Sequence, residues 1–115
     1  DYGCGRGQDA DRLGFSKYDP NWFPEHPLAN PLVENTYDYI FCHYVLNVIP
    51  DAKDRQFVLD DIRRLMTDQG RAFVSIRTDT AIDRQQTQFR VESRDFENIK
   101  VLVRTSKFEI WEVLN

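Results

Sequence analysis

The sequence predicts an α/β domain in which helices cover both faces of a sheet. A glycine-rich turn, DYGCGRG, occupies residues 1–7. Short apolar segments typical of strands follow at residues 15–18, 39–42 and 72–76. Residues 51–66 separate the last two segments and space their apolar side chains as a helix does. Strands and helices that alternate in this way are typical of a sheet with helices packed on it.

Length and composition set the limits of the prediction. The chain has 115 residues, 41% of them hydrophobic, which suits one domain over residues 1–115. No apolar run approaches the length that spans a bilayer, so no membrane partner is predicted. The net charge of −4 does not attract nucleic acid by bulk charge. Two cysteines, Cys4 and Cys42, are too few for a disulfide framework and predict reduced thiols, a cytoplasmic protein and no metal site.

The first half of the chain has two strand candidates. The first, residues 15–18, ends at Asp19 and Pro20. Residues 21–35 are rich in proline and lack periodicity, which predicts an irregular surface segment. Residues 39–42 are apolar without alternation, which predicts a strand covered on both faces.

The helix between the second and third strand candidates has recognisable ends. Asp51 is the predicted N-cap, and Asp54 lies at a favourable position in the first turn. Gly70 is the predicted stop beyond the last turn. The side chains expected to form one apolar stripe are Phe57, Val58, Ile62, Leu65 and Met66.

The remainder predicts a strand at residues 72–76 and a polar loop at residues 78–86. Residues 89–92 and 108–114 alternate and predict more exposed strands. Residues 98–103 fit either a strand or a short helix.

The glycine loop and Asp19 are the candidate site. Gly3 and Gly5 permit a tight turn and close approach of a ligand to the backbone, although a plain glycine turn explains the spacing equally well. Asp19 ends the next strand candidate, where a carboxylate can accept hydrogen bonds from both hydroxyls of a ribose. The alternative for Asp19 is a turn residue before Pro20.

Four segments together resemble class I S-adenosylmethionine-dependent methyltransferases. DYGCGRG is similar to their acidic-x-Gly-x-Gly-x-Gly loop, and YDP at residues 18–20 to their ribose-binding acidic position. YDYIFCHYVLNVIPD at residues 37–51 resembles their fourth strand and the turn after it. Residues 55–76 resemble the next helix, turn and strand. The segment YVLNVIP at residues 44–50 especially resembles the corresponding segment of a group of small methyltransferases, some of them associated with DNA phosphorothioation.

The resemblance implies a Rossmann-like methyltransferase sheet that binds S-adenosyl-L-methionine and transfers its methyl group to an unknown acceptor, a small molecule or a nucleic acid. A rival from another class is a degenerate, non-catalytic Rossmann module that binds or scaffolds a larger assembly. A nicotinamide-dependent oxidoreductase fits less well, because the glycine pattern is offset from the dinucleotide fingerprint. The cofactor-binding residues that the resemblance implies are Asp1, Gly3, Cys4, Gly5, Asp19, Pro20, His43 and Tyr44.

Three further positions have candidate roles beside the cofactor. His43 is the candidate catalytic base, since a neutral imidazole can take a proton from an acceptor oxygen or nitrogen; the alternative is a packing or hydrogen-bonding role. Arg77 is the candidate for binding an anionic acceptor, and a surface ion pair is the alternative. Trp22 or Phe23 could stack on adenine or pack under the proline-rich segment.

The chain also departs from the resemblance. The family's first, central strand has no counterpart before Asp1, and residues 20–37 replace a third strand and its helix. We therefore expect an abbreviated, N-terminally truncated sheet with a slot between residues 15–18 and 39–42. An upstream segment or a strand from a partner chain would complete the sheet, because unpaired backbone groups in a buried sheet are costly.

Overall fold

A four-stranded mixed sheet forms the centre of this small α/β domain, and the computed structural model describes residues 1–21, 23, 36–79 and 87–115. Single 3₁₀ turns lie at Leu46–Val48 and Ser93–Asp95. Within the described ranges, no helix is long and apolar enough to cross a membrane. The helices and strands are α1 (Gln8–Leu13), β1 (Tyr37–His43), α2 (Ala52–Leu65), β2 (Met66–Arg77), β3 (Ile99–Arg104) and β4 (Phe108–Val113).

The strands lie in the order β1-β2-β4-β3. β1 and β2 are parallel and connected through α2, whereas β4 is antiparallel to both β2 and β3. The register pairs Cys42 with Val74 and Val74 with Trp111, so these three side chains share one face. They are buried in one cluster with the apolar stripe of α2. This face of the sheet therefore contains the core.

The opposite face of β1 is open in the described part of the chain. Tyr39 is 63% exposed and Phe41 is 37% exposed. The prediction that both faces of this strand are covered is therefore wrong at Tyr39, whereas the Phe41 ring stacks on Phe15 with centroids 5.3 Å apart. The strand itself is confirmed, because Ile40 and Cys42 pack into the core and β2 pairs along one edge.

The start of α2 is confirmed in detail. The Asp51 carboxylate accepts a 2.7 Å hydrogen bond from the backbone N–H of Lys53, as an N-cap does. The buried stripe is Val58, Leu59, Ile62 and Leu65. Phe57 is 65% exposed and does not belong to this stripe, which corrects the predicted set.

The end of α2 differs from the prediction. The helix stops at Leu65, and Met66 already has extended backbone. β2 begins at once, so Gly70 lies within the strand rather than at a helix stop. The pairing shifts from Tyr37–Met66 to Tyr39–Arg71, which makes Gly70 part of a bulge in β2.

Of the strands predicted after α2, some are confirmed and one is wrong. Strands at residues 72–76 and 108–113 are confirmed within β2 and β4, and residues 98–103 resolve as β3. Residues 89–92 are not a strand, although Val91 is buried. They lead into the 3₁₀ turn, and the Phe89 N–H is bonded to the Asn47 carbonyl at 2.6 Å instead of to a neighbouring strand.

Residues 1–3 lie between the first strand candidate and β1. The Tyr2 N–H donates to the Phe41 carbonyl at 2.8 Å, and the Tyr18 N–H donates to the Asp1 carbonyl at 3.1 Å. Tyr2 and Tyr18 form an isolated parallel bridge, so residues 15–18 are not a regular strand. No direct pairing of residues 15–18 with β1 closes the expected slot in the described residues. Its completion by another segment stays a prediction.

Several predictions fall on parts of the chain outside the described residues. These are Trp22, most of the irregular segment at residues 21–35 and most of the loop at residues 78–86. The reduced third strand belongs to the same part of the chain.

Candidate functional site

The glycine loop and Asp19 are joined by hydrogen bonds. The Gly5 N–H donates to Asp19 Oδ2 at 2.9 Å, and the Asn21 N–H donates to Asp19 Oδ1 at 2.8 Å. The N–H groups of Gly3 and Cys4 both donate to the Tyr18 carbonyl, at 2.8 and 2.9 Å. The two sequence segments that predicted a ligand site therefore form one unit.

The backbone of the loop requires glycine where it meets the turn after β1. Gly3 has φ of 77°, and a Cβ added there would lie 2.4 Å from Val45 Cγ2. Gly5 has φ of 58°, but a Cβ there would meet nothing within 4 Å. The loop is thus packed on the β1 side at Gly3 and open at Gly5.

A cavity of about 530 Å³ lies beside this unit, and we call it the Asp19 cavity. Its volume is in the range of small-molecule and cofactor sites. Among the described residues, its charged lining side chains are Asp19 and Asp54, both acidic. The cavity therefore favours cationic groups over phosphates. Its lining consists of Tyr2, Gly3, Tyr18, Asp19, Pro20, Asn21, His43, Tyr44, Val45, Val48, Ile49, Asp54, Phe57 and Val58.

Most of the predicted cofactor residues meet at this cavity. Those that line it are Gly3, Asp19, Pro20, His43 and Tyr44. The others, which do not line it, are Asp1, Cys4 and Gly5. Gly5 still touches the site through its bond to the Asp19 carboxylate. Cys4 directs its thiol to the Gly5 carbonyl at 3.5 Å, and Asp1 contributes its carbonyl to the bond from Tyr18.

Sequence reasoning missed much of the apolar wall. Val48 and Ile49 belong to the turn after β1, and Phe57 lies one turn into α2. The signal for Phe57 was its position in the helix. Its side chain does not share the buried face that Ile62 occupies, and it is exposed. An aromatic side chain outside the buried stripe is a candidate ligand contact.

His43 is the last residue of β1, and its side chain contacts Ser75 and Tyr44. Its Nδ1 is hydrogen-bonded to Ser75 Oγ on β2. Its ring lies 4.0 Å from the ring of Tyr44, centroid to centroid. The Nδ1 contact fixes the ring, and with Nδ1 as the donor the other nitrogen, Nε2, can accept a proton.

Tyr44 has an unusual backbone conformation for a bulky residue. Its φ is 56°, in the left-handed region that favours glycine. Its N–H donates to the Ser75 carbonyl at 2.9 Å, which holds the chain in this conformation. The strain turns the chain out of the sheet directly beside His43, and it coincides with the edge of the Asp19 cavity.

A second cavity of about 470 Å³ lies on the open face of the sheet, and we call it the aromatic cavity. It shares His43 and Tyr44 with the Asp19 cavity. No described residue that lines it carries a carboxylate, ammonium or guanidinium group. Its lining consists of Phe41, Cys42, His43, Tyr44, Phe73, Val74, Ser75, Phe108 and Ile110.

A buried asparagine holds the turn that separates β1 from α2. Asn47 is 0% exposed. Its Oδ1 accepts from the Arg77 N–H at 2.7 Å, and its Nδ2 donates to the carbonyls of Phe89 and Arg77 at 2.9 and 3.2 Å. These bonds connect the turn to the end of β2 and to the segment before the second 3₁₀ turn. They fix the path of Val48 along the Asp19 cavity.

Arg77 and Phe23 lie apart from both cavities. Arg77 donates to both carboxylate oxygens of Asp79, at 2.9 and 3.1 Å, so the ion pair considered as its alternative is present. Its role in acceptor binding stays a prediction. The Lys17 ammonium lies 4.9 Å from the centroid of the Phe23 ring. Phe23 does not line the Asp19 cavity.

Both cysteines are free thiols. Burial raises the pKa of Cys42 to about 12. Burial, followed by the negative charge of Asp19, raises the pKa of Cys4. Among the described positions, no group of three or more histidine, cysteine or acidic side chains could hold a metal ion.

Comparison with known proteins gives no family assignment. The chain matches none of the protein-family models, and no curated protein sequence is significantly similar to it.

Proposed function

We propose that this chain is a Rossmann-like domain of an S-adenosylmethionine-dependent methyltransferase and that the Asp19 cavity holds the cofactor. One observation carries the proposal: Asp19 is bonded to the glycine loop at Gly5 and lines a cavity with only acidic charges among its described lining residues. A ribose-binding carboxylate and a glycine turn in one unit are what the resemblance implies.

The donor set fits this cofactor by its chemistry. Each Asp19 oxygen accepts a backbone hydrogen bond, and a carboxylate oxygen can accept a further one from a ribose hydroxyl. Pro20, Val48 and Ile49 supply apolar surface for adenine. Asp19 and Asp54 favour the positive sulfonium and amino groups. The same carboxylates would repel the two phosphates of a nicotinamide dinucleotide, and this repulsion disfavours a nicotinamide-dependent oxidoreductase.

His43 is the proposed proton acceptor. When bound, the cofactor supplies a methyl group that is already activated by a positively charged sulfur. An acceptor oxygen or nitrogen would lose one proton for each methyl group that it gains. His43 Nε2 can hold the released proton while the bond to Ser75 keeps the ring in place. Positioning contributes the larger share of catalysis, because the leaving group needs no further activation.

The fold supports the same proposal. β1, α2 and β2 form a parallel strand–helix–strand unit, and the site lies where β1 ends. Ligands of open α/β sheets bind at this edge. The Tyr2 N–H bonds to Phe41 and the Asp1 carbonyl accepts from Tyr18, which is the position where the resemblance would have a central strand end.

A non-catalytic binding module is the second candidate, and the outer edge of β1 favours it. In the described residues this edge receives one backbone hydrogen bond, from Tyr2 to Phe41. Tyr39 beside it is 63% exposed. An open edge with exposed aromatic side chains is suited to strand addition by an upstream segment or a partner chain.

Two assays separate the candidates. Calorimetry with S-adenosylmethionine, S-adenosylhomocysteine and NAD tests the cavity, and we expect the first two to bind and NAD not to bind. Release of S-adenosylhomocysteine over pools of small molecules, nucleic acids and proteins tests catalysis. Binding with no release from any pool would favour the module, whereas tight NAD binding by a folded sample would overturn the proposal.

A third assay examines the edge. Sedimentation of the 115-residue chain should reveal self-association, because an unprotected edge pairs with other edges. Tyr39→Lys places a charge there and should reduce association, while Leu13→Lys at an exposed position on α1, outside the sheet, controls for added charge. Equal association of all three proteins would count against strand addition at β1.

A further inference from the structure

We propose that the aromatic cavity binds the methyl acceptor and selects an uncharged, ring-sized molecule that carries a hydroxyl group. That the occupant is the methyl acceptor rests on the proposed function. That the cavity prefers neutral aromatic molecules rests on its own lining.

The register of the sheet creates the aromatic wall. Phe41 pairs with Phe73, so both rings project from the face opposite α2. Their centroids lie 5.6 Å apart with the rings stacked. Ile110 is the cross-strand partner of Ser75, and Phe108 is the partner of Arg77 on the same side. Flat apolar walls of this kind favour an aromatic ligand.

Charge argues against an anionic acceptor. A charged group that enters an apolar cavity loses its hydration, and no described lining residue carries an ammonium or guanidinium group to compensate an anion. Two guanidinium groups beside the aromatic wall are already paired. The Arg71 guanidinium lies 5.0 Å from the Phe73 centroid and is bonded to both oxygens of Glu112 at 3.0 Å. Arg77 is paired with Asp79. This disfavours nucleic acid, whose phosphates need available cations.

Among the described lining residues, the hydroxyl and imidazole groups lie together at one end of the cavity. His43 and Ser75 are bonded to each other there, and the Tyr44 ring stands beside His43. A hydroxyl at this end can donate to an imidazole nitrogen while the rest of the molecule contacts Phe73 and Phe108. The same two residues, His43 and Tyr44, border the Asp19 cavity. The polar end of the occupant therefore faces the proposed cofactor site.

A matched pair of probes tests the selectivity without any activity assay. 1-Naphthol is neutral at pH 7, and 1-naphthyl phosphate has the same ring system with a charge. Calorimetry should give saturable one-to-one binding of 1-naphthol, and on the order of tenfold or weaker binding of the phosphate. Equal or tighter binding of the phosphate, or no binding of 1-naphthol to folded protein, would overturn the proposal.

Variants locate the site. Phe73→Asp places a charge in the wall and should weaken 1-naphthol binding on the order of tenfold or more. Phe108→Ala removes ring surface near the end of β4 and serves if Phe73→Asp does not fold. Leu102→Asp makes a similar change at an exposed residue outside the lining and should leave binding unchanged. Two results would contradict this location. One is unchanged 1-naphthol binding by folded Phe108→Ala, and the other is a loss of 1-naphthol binding in Leu102→Asp as large as that in Phe73→Asp.

One further variant separates this inference from the proposed function. Asp19→Ala should abolish or weaken cofactor binding but leave 1-naphthol binding unchanged, because Asp19 does not line the aromatic cavity. Binding of 1-naphthol without any binding of S-adenosylmethionine would refute the proposed cofactor and retain the neutral-ligand cavity. The reverse result would refute the cavity and retain the cofactor.

Discussion

The phenol of Tyr2 donates a 2.6 Å hydrogen bond to Asp61 Oδ2 on α2. The other oxygen of Asp61 accepts from the Arg64 guanidinium at 2.7 and 2.9 Å. Burial and this hydrogen bond raise the pKa of Tyr2 well above its ordinary value. The bond fastens the residues that lie between Tyr18 and Phe41 to the helix that covers the core.

Removal of this hydroxyl should cost stability. We expect Tyr2→Phe to lower the free energy of unfolding by about 1.5–3 kcal/mol, the usual cost of losing a hydrogen bond to a charged group. Tyr18→Phe is the control, since its ring packs 4.9 Å from that of Tyr2 and its hydroxyl lacks such a bond to Asp61. Urea unfolding measures both variants. Equal losses would mean that the Tyr2–Asp61 bond contributes little.

Asn47 should be among the most sensitive polar positions. Asn47→Leu retains similar volume but leaves the Arg77 N–H and the Phe89 carbonyl without their buried partner. We expect a loss of about 2–4 kcal/mol in the free energy of unfolding, because each unmet buried group costs about 1–3 kcal/mol. Asn21→Leu, at an exposed position, controls for the substitution. A loss below 1 kcal/mol for Asn47→Leu would contradict the role of this side chain, on the same scale.

The backbone strain at Tyr44 can be measured with two substitutions. Tyr44→Ala and Tyr44→Gly both remove the ring, but only glycine adopts a φ of 56° without strain. We expect the glycine variant to be more stable than the alanine variant by about 1 kcal/mol, the reverse of the usual order in regular structure. Thermal unfolding compares the two. An alanine variant as stable as the glycine variant would show that Tyr44 is unstrained.

The cysteines predict a response to high pH. Cys42 has a pKa raised to about 12 by burial, so the folded state keeps its proton where the unfolded state loses it. The contribution to stability is complete below the ordinary thiol value near 9 and decreases as the pH rises above it. Tyr2, also raised, acts in the same direction. Unfolding measured from pH 7 to 11 should show falling stability, with a weaker fall in Cys42→Ala. An identical fall in both proteins would contradict burial of the thiol.

Local signals made α2 predictable and left its surroundings uncertain. Asp51 caps the helix through a bond to a residue two positions away, which sequence alone can indicate. The exposure of Phe57 depends on the cavity beside it, and Gly70 lies in a bulge set by pairing with β1. Residues 89–92 have strand-like alternation, but their backbone bonds to Asn47 rather than to a strand. Long-range contacts decide these three features.

In the candidate site, too, the residues fixed by local sequence were predictable and those fixed by long-range contacts were not. Gly3 and Asp19 were identifiable because each belongs to a short segment whose residue types restrict its backbone. Val48 and Ile49 were not, because their path depends on the buried bonds of Asn47 to distant residues. The aromatic cavity was missed for a related reason. It needs Phe41 beside Phe73, a pairing that only the register of two strands establishes.

The central claim is that Asp19 holds the cofactor, and the affinity of three proteins for S-adenosylmethionine tests it most directly. Calorimetry should show binding by the unaltered chain and by Asp68→Ala, which removes an exposed carboxylate outside the cavity. Asp19→Ala should bind about 10- to 100-fold more weakly, the loss of a charged hydrogen bond expressed as affinity. Affinity of Asp19→Ala equal to that of the unaltered chain, or no binding by the unaltered chain while circular dichroism shows it folded, would contradict the account.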